Sequence, residues 1–209
     1  LKRPENATGQ RLKFTYLYDD QVQTYVTAIS DDYGYSSSAT YDFSFGQVLS
    51  ATDMNGQQTQ YTFDKAGRIL TIRGPLEIAT NRPFTISFEY HPEAAVPWAL
   101  AKHFDPARPS NFLEFVSFSD GLEREIQTKK DIALFVSPLA ADQEVMMVTG
   151  STAFDAFGRT VSEHYPITEM KGNTGLINPN VDNITPAQIT YDVLDRIRTT
   201  TLPDLSVQK

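Results

Sequence analysis

The chain has 209 residues, a net charge of −8, a pI near 4.8 and no cysteine. A chain of this length buries roughly 70% of its unfolded surface and needs no covalent staple. The composition excludes disulfides, thiolate metal sites and a Cys nucleophile, and an acidic surface repels phosphate backbones, which argues against nucleic acid as a partner.

Alternation of apolar and polar residues begins at once. In "LKFTYLY", Leu12, Phe14, Tyr16 and Tyr18 share one face, and "QVQTYVTAIS" continues in the same style. A period of two is the strand signal, and Thr, Tyr, Phe, Val and Ile fill these stretches as strands prefer. Residues 1–30 read as N-terminal strands leading into a more regular region over 31–209. The adjacent pairs Asp19-Asp20 and Asp31-Asp32 would point to opposite faces of a strand, so they read as turn residues and not as a general acid and base.

From residue 31 onward, turns recur. "DDYG" (Asp31 to Gly34), "DMNG" (Asp53 to Gly56) and "DKAG" (Asp64 to Gly67) each place Asp three residues before Gly. The Asp side chain accepts from the backbone two residues on and opens the turn. Glycine then supplies the positive φ of a type I turn with a following bulge. "DMNGQQTQ" lacks the further oxygen ligands and terminal Glu of a calcium loop, so a hairpin turn is the better reading. "FTISFEY" is another strand, with Phe84, Ile86, Phe88 and Tyr90 on one face. A short helix is expected between Glu93 and Lys102. Irregular insertions are expected near 92–111 and 165–187, the second rich in Pro, Gly and Asn.

The opening frame of "YTFDKAGRI" returns in "TAFDAFGRTV" (Thr152 to Val161), "ITYDVLDRIR" (Ile189 to Arg198) and "VSFSDGLEREI" (Val116 to Ile126). An aromatic residue near an Asp is followed by two variable residues, Gly and Arg. Asp64-Gly67-Arg68 and Asp155-Gly158-Arg159 match in full. In Asp192-Asp195-Arg196 the glycine is Asp, which tolerates a left-handed backbone fairly well; in Asp120-Glu123-Arg124 it is Glu, which tolerates it less. "YDFSFGQ" from Tyr41 has one extra residue before Gly46 and Gln47 in place of Arg. An exposed Arg–Asp pair across such a turn contributes a few tenths of a kcal/mol, so its expected role is register and solubility.

The run "YDFSFGQVLSATDMNGQQTQYTFDKAGRILTIRGP" holds two successive units and resembles the RHS/YD-repeat family. "FVSFSDGLEREIQTKKD" and "YDVLDRIRTTTLPDLS" are similar to segments of RHS-repeat proteins allied to bacterial insecticidal toxin complexes. The resemblance spans Asp31 to Leu205. It implies an all-β fold of antiparallel hairpins in a twisted sheet strip, a fragment of a larger hollow shell that encloses a toxin polypeptide, and a secreted or cell-surface location. The family's self-cleaving core segment is missing, and Asp105-Pro106 lacks its surroundings, so no autoproteolytic residue is assigned.

Other chemistry is thinly represented. The three histidines, His91, His103 and His164, show no metal-ligand spacing, and no G-x-S-x-G elbow is present. No catalytic, metal or cofactor residue is expected. No stretch reaches the roughly 20 apolar residues of a membrane span. Trp98 reads as core or as a strut under an insertion. Two alternatives to a structural segment stand beside it. One is a carbohydrate- or protein-binding surface using exposed aromatics or the segment from Gly172 to Asn183. The other is a small hydrolase. Sequons occur at Asn6 and Asn183.

Overall fold

The computed structural model describes residues 12–107 and 112–209; the sequon at Asn6 and the start of the N-terminal strand region lie outside them. The fold is all-β and antiparallel, with a single five-residue helix, α1 (Pro75–Ala79), among the described residues. The chain divides into two compact units, residues 1–88 and 89–209. Strand β7 (Ile86–His91) runs across the division.

In the first unit, β1 (Phe14–Tyr18), β2 (Val26–Asp31), β3 (Ser36–Asp42), β4 (Gln47–Thr52), β5 (Gln58–Phe63) and β6 (Ile69–Arg73) pair in chain order, and β7 follows β6. Sequential antiparallel pairing needs only short turns, which the D-x-x-G tetrads supply. Cross-strand partners share a face, so the register defines two surfaces. Ser38, Thr52 and Gln58 form one rung, and Thr40, Ser50, Gln60 and Arg73 the next. The opposite face carries Ala39, Ala51 and Thr59, then Tyr61, Ile72 and Ile86. One face is therefore hydroxyl- and amide-rich and the other apolar. The apolar face is only half-buried: among the described residues of this unit, Asp19 and Glu77 alone are buried. Helix α1 begins at Gly74 with Pro75 at its first position, where the missing N–H costs no intrahelical bond. Glu77 anchors the connection by accepting from Thr85 Oγ1 at 2.5 Å, while Gly74 N–H donates to that same oxygen at 2.7 Å.

The second unit contains β8 (Trp98–His103), β9 (Leu113–Ser119), β10 (Glu125–Leu134), β11 (Gln143–Thr149) and β14 (Ile167–Met170), in the order β8-β9-β10-β11-β14. A separate sheet is ordered β12 (Thr152–Phe154), β13 (Thr160–Glu163), β15 (Ala187–Tyr191), β16 (Ile197–Thr201) and β17 (Val207–Gln208). The apolar core is here: Leu100, Val116, Phe118 and Met146, with Val96, Trp98 and Ile126 packed against it.

Three local expectations are corrected. Residues 93–102 hold no helix; a turn leads into β8, whose Ala99, Leu100 and Ala101 pair with Ser117, Val116 and Phe115. Cross-strand pairing and burial of Leu100 override the helix propensity of that alanine-rich stretch. The insertion near 92–111 accordingly contains a full strand. The insertion near 165–187 contains β14, which pairs with β11 through Val145↔Met170 to Val148↔Ile167, and irregular chain begins only after Met170.

That irregular segment is held to the sheet by buried polar groups. Lys129 has a side chain 1% exposed; its Nζ forms an ion pair with Glu169 Oε1 at 2.6 Å and donates to the Asn173 carbonyl at 2.8 Å and to the Leu176 carbonyl. Gln127 exchanges two bonds with the Asn178 backbone, both 2.8 Å. Lys171 donates to Asp131 Oδ2 and to the Phe112 carbonyl. Trp98 lies directly beneath: a Cβ on Gly175 would sit 2.8 Å from its ring. The tryptophan stacks on His91 with centroids 3.9 Å apart and leans on Phe118, which is the strut position.

Candidate functional site

The site-like feature of each unit is its set of hairpin turns. In the Asp64 turn, Asp64 Oδ1 accepts from Ala66 N at 2.8 Å and Arg68 N at 2.9 Å. The Gly67 N–H donates to the Asp64 carbonyl, and the Asp64 N–H donates to the Arg68 carbonyl. Arg68 Nε then donates to Asp64 Oδ2 at 2.7 Å. One carboxylate thus satisfies two backbone donors and one guanidinium N–H, and Gly67 has φ +79°.

The same bonds recur around Asp120, Asp155 and Asp192, where Arg124, Arg159 and Arg196 donate Nε to Oδ2 at 2.7, 2.7 and 2.8 Å. Glu123 and Asp195 stand where glycine would, each with φ 61°, so both adopt the left-handed backbone. Gly158 has φ +81°. The Asp31 and Asp53 turns use the same backbone bonds, with Gly34 and Gly56 at positive φ, and Tyr35 and Gln57 in place of arginine. Within the first unit they lie at the end of the strands opposite the Asp64 turn, since alternate connections of an antiparallel sheet emerge at opposite ends.

The aromatic residue before the aspartate marks a bulge. In the Asp64 hairpin the partners change from Thr62↔Thr71 to Phe63↔Ile69, leaving Leu70 extra on the return strand. The same slip occurs at Tyr18, Tyr41, Phe154 and Tyr191. Each of these is the residue just before a turn aspartate. A bulge increases local twist and re-aims the flanking side chains. Hydroxyl pairs sit on the preceding rung: Thr62–Thr71 at 2.6 Å, Thr190–Thr199 at 2.6 Å and Thr40–Ser50 at 2.8 Å.

Successive hairpins meet through these aromatics. In three of them the residue that closes one turn lies against the aromatic that opens a following one. Tyr25 stacks on Tyr41 with centroids 4.9 Å apart. The Arg124 guanidinium carbon is 4.2 Å from the Phe154 ring centre, and that of Arg159 is 4.7 Å from Tyr191. The residue at the glycine position of the following turn is touched as well. A Cβ on Gly46 would lie 2.6 Å from the Tyr25 hydroxyl, and one on Gly158 would lie 3.0 Å from Arg124 Nη1. Where that residue is Asp195, Arg159 Nη1 pairs with its Oδ1 at 2.6 Å.

Electrostatics match the geometry. The Arg68 backbone N–H, above all, holds Asp64 below the usual carboxylate range against the opposing pull of desolvation. The arginine side-chain bond is the main cause at Asp120, Asp155 and Asp192. Arg159 is raised, first by its bond to Asp155. Asp19, read from the sequence as a turn residue together with Asp20, collects five backbone bonds. Asp19 accepts Gln21, Val22 and Gln23 N–H on Oδ1, and Thr24 and Tyr25 N–H on Oδ2. Desolvation raises its pKa, but the bonds from Tyr25, Val22, Thr24 and Gln23 outweigh it and bring it to about 2. Its longer turn has no D-x-x-G spacing, and in the sequence the adjacent Asp19-Asp20 pair is what marks it.

No group of three His, Asp or Glu side chains among the described residues is arranged to hold a metal ion. His91 stacks on Trp98, while His103 pairs with Leu113 at the end of β8. The His164 N–H donates to Ser151 O. No helix among the described residues is long and apolar enough to cross a membrane.

The pattern that defines the RHS Repeat family matches residues 41–76, the segment holding the Asp42, Asp53 and Asp64 turns. No curated protein matches the sequence. Among solved structures, the chain is similar to TcdB2-TccC3-TEV, with a TM-score of 0.69 at 16% identity, and to TcdB2-TccC3-Cdc42, with 0.68 at 16%. It is also similar to a Photorhabdus luminescens Tc holotoxin pore with a TccC3 variant, at 0.67 and 15%. Each alignment covers 93% of this chain and 14% of the other, so the chain spans about one seventh of those structures. Residues 41–76 thus match the RHS repeat, and nearly the whole chain is similar in fold to about one seventh of each of those chains.

Proposed function

We propose that the chain is a stretch of non-enzymatic structural wall in an exported, toxin-type RHS-repeat protein, secreted or displayed at a cell surface. Its partners on this reading are neighbouring segments of its own polypeptide and a polypeptide enclosed by the shell. The observation that carries the reading is the hairpin-to-hairpin contact at the turns, where the closing residues Tyr25, Arg124 and Arg159 sit on the opening aromatics Tyr41, Phe154 and Tyr191. Such contacts add units along one direction and converge on no common centre, as repeat architectures do. A half-buried apolar face in the first unit, opposite a hydroxyl-rich one, also suits a wall with unlike sides. Electron microscopy of the polypeptide carrying this segment tests the proposal. A hollow β-walled particle is expected; a solid globule overturns it.

A second reading, a glycan- or protein-binding surface, draws support from an open concavity of about 470 Å³ in the first unit. Small side chains Ala39, Ala51 and Thr59 line it beside Tyr41 and Tyr61. Glycan-array binding that disappears in Tyr61→Ala is the outcome this reading requires.

A further inference from the structure

Lys129, Glu169 and Asn178 meet around one carboxylate beneath the strap. Lys129 Nζ lies 2.6 Å from Glu169 Oε1, and Asn178 Nδ2 donates to Glu169 Oε2 at 2.6 Å. The lysine side chain is 1% exposed and the glutamate 11%. Glu169 Oε1 is buried and accepts no hydrogen bond among the described residues, so its lone pairs are open to a proton from the neighbouring Nζ. Both nitrogens are held in place. The Asn173 and Leu176 carbonyls fix Nζ, and the Phe118 ring centre flanks it at 5.6 Å. Gln127 clasps the Asn178 backbone through two bonds of 2.8 Å. Asn178 Oδ1 accepts the Asn180 N–H at 2.9 Å.

An amine, a carboxamide and a carboxylate that touches both are thus fixed together and largely out of water. We propose that Lys129 and Asn178 join through a side-chain amide bond, with Glu169 as the catalytic residue. Glu169 Oε1 takes a proton from Nζ, and the freed lone pair attacks Asn178 Cγ. The Asn180 N–H faces the Oδ1 oxygen, where negative charge then develops. Glu169 passes its proton to Nδ2 and the Cγ–Nδ2 bond breaks. A second Nζ proton follows the same route, so the leaving nitrogen departs as ammonium. One Nζ hydrogen stays on the new amide, Glu169 returns to carboxylate, and nothing is oxidised or reduced. A carboxylate within hydrogen-bond reach of both nitrogens is placed for general acid–base work, and the fixed geometry replaces a chance encounter.

The neighbouring buried pair lacks the third member. Lys171 donates to Asp131 Oδ2, but Asp131 Oδ1 accepts no hydrogen bond, so no carboxamide is bonded to that carboxylate. The amide ties the strap to β10 in a chain without cysteine, closing a long loop as a disulfide does. The freshly folded chain carries the ion pair, and the amide follows it.

Mass spectrometry of the folded full chain, held at neutral pH and sampled over days, tests the bond. The chain is expected to become lighter by one ammonia, and its tryptic digest to contain a branched peptide joining Lys129 to Asn178. A succinimide at Asn55-Gly56 releases ammonia too, so loss of mass without the branched peptide overturns the proposal, as does a folded chain that keeps its full mass. Chain purified and kept in urea is expected to form no branched peptide; equal formation there would show that the folded geometry plays no part. Glu169→Gln is expected to slow the branch at least a hundredfold, and an unchanged rate overturns the catalytic role. Asn178→Asp keeps the geometry should Glu169→Gln fail to fold. It is expected to give the same branch with loss of water in place of ammonia, and a branch at any other residue overturns the assignment.

Discussion

The Arg159 guanidinium lies between two turns: it forks onto Asp155 of its own hairpin, reaches Asp195 of the next and covers the Tyr191 ring at 4.7 Å. From the sequence, the arginine after the turn was expected to set register and solubility within one hairpin. The structure gives it a second role between hairpins, which explains the Asp at position 195. That residue adopts the left-handed backbone glycine would otherwise supply, and places a carboxylate where Arg159 can use it. Arg159→Lys and Tyr191→Leu are therefore expected to be non-additive. In a double-mutant cycle followed by urea unfolding, the second substitution costs much less once the first is present. Additive shifts of the two midpoints would contradict the contact.

Turn glycines are expected to differ in sensitivity according to what stands over them. Gly67 has φ +79°, and a Cβ there would meet the Phe45 ring at 3.1 Å; Gly34 has φ +87° and open space. Gly67→Val forces a β-branched side chain into both the strained backbone and the ring, costing on the order of 1–2 kcal/mol or more. Gly34→Ala strains the backbone alone and should cost about 1 kcal/mol. Equal losses of Tm in the two variants would show that the Phe45 contact carries no weight.

The device of carboxylate, glycine and arginine was legible because it is local: every bond within it links residues four apart or fewer. Strand alternation was legible for the same reason. The partnership of Arg124 with Phe154 was not, since nothing at either position specifies which hairpin lies alongside. The strap beyond Met170 was opaque for a different reason. Its bonds with Lys129 and Gln127 are made by backbone groups of the strap, and a backbone group leaves no mark in a sequence. The misplaced helix at 93–102 shows the converse, local propensity losing to a buried rung at Leu100 and Val116.

Acid should weaken the first hairpin, and Asp19 sets the direction. Its folded pKa of about 2 lies below the unfolded carboxylate value of 3.8. The unfolded chain therefore binds the proton first as pH falls, and the stability Asp19 supplies is fully present above about pH 4 and lost as pH falls through about 2. The Asp64, Asp120, Asp155 and Asp192 turns shift in the same direction. Thermal unfolding followed by circular dichroism should show Tm dropping between pH 4 and 2, with a shallower drop in Asp19→Asn. An unchanged slope in that variant would mean the five backbone donors do not depend on the charge.

Lys129 gives the sharpest contrast between removing a charge and stranding one. Its ammonium is 1% exposed and is matched by Glu169 and two carbonyls, with the Phe118 ring centre 5.6 Å away. Glu169→Gln leaves that ammonium without its counter-charge and should destabilise the second unit by about 3–5 kcal/mol. Lys129→Met together with Glu169→Gln removes both charges and keeps the volume against Phe118. Burying an ion pair already carries a desolvation cost, so this double variant should recover most of the loss. The strap's carbonyls at Asn173 and Leu176 would nonetheless lose their donor. Hydrogen exchange should therefore report faster opening of residues 171–180 in the double variant, even where global stability is restored. Slow exchange there would show that the apolar contact of Gly175 with Trp98 holds the strap without the lysine.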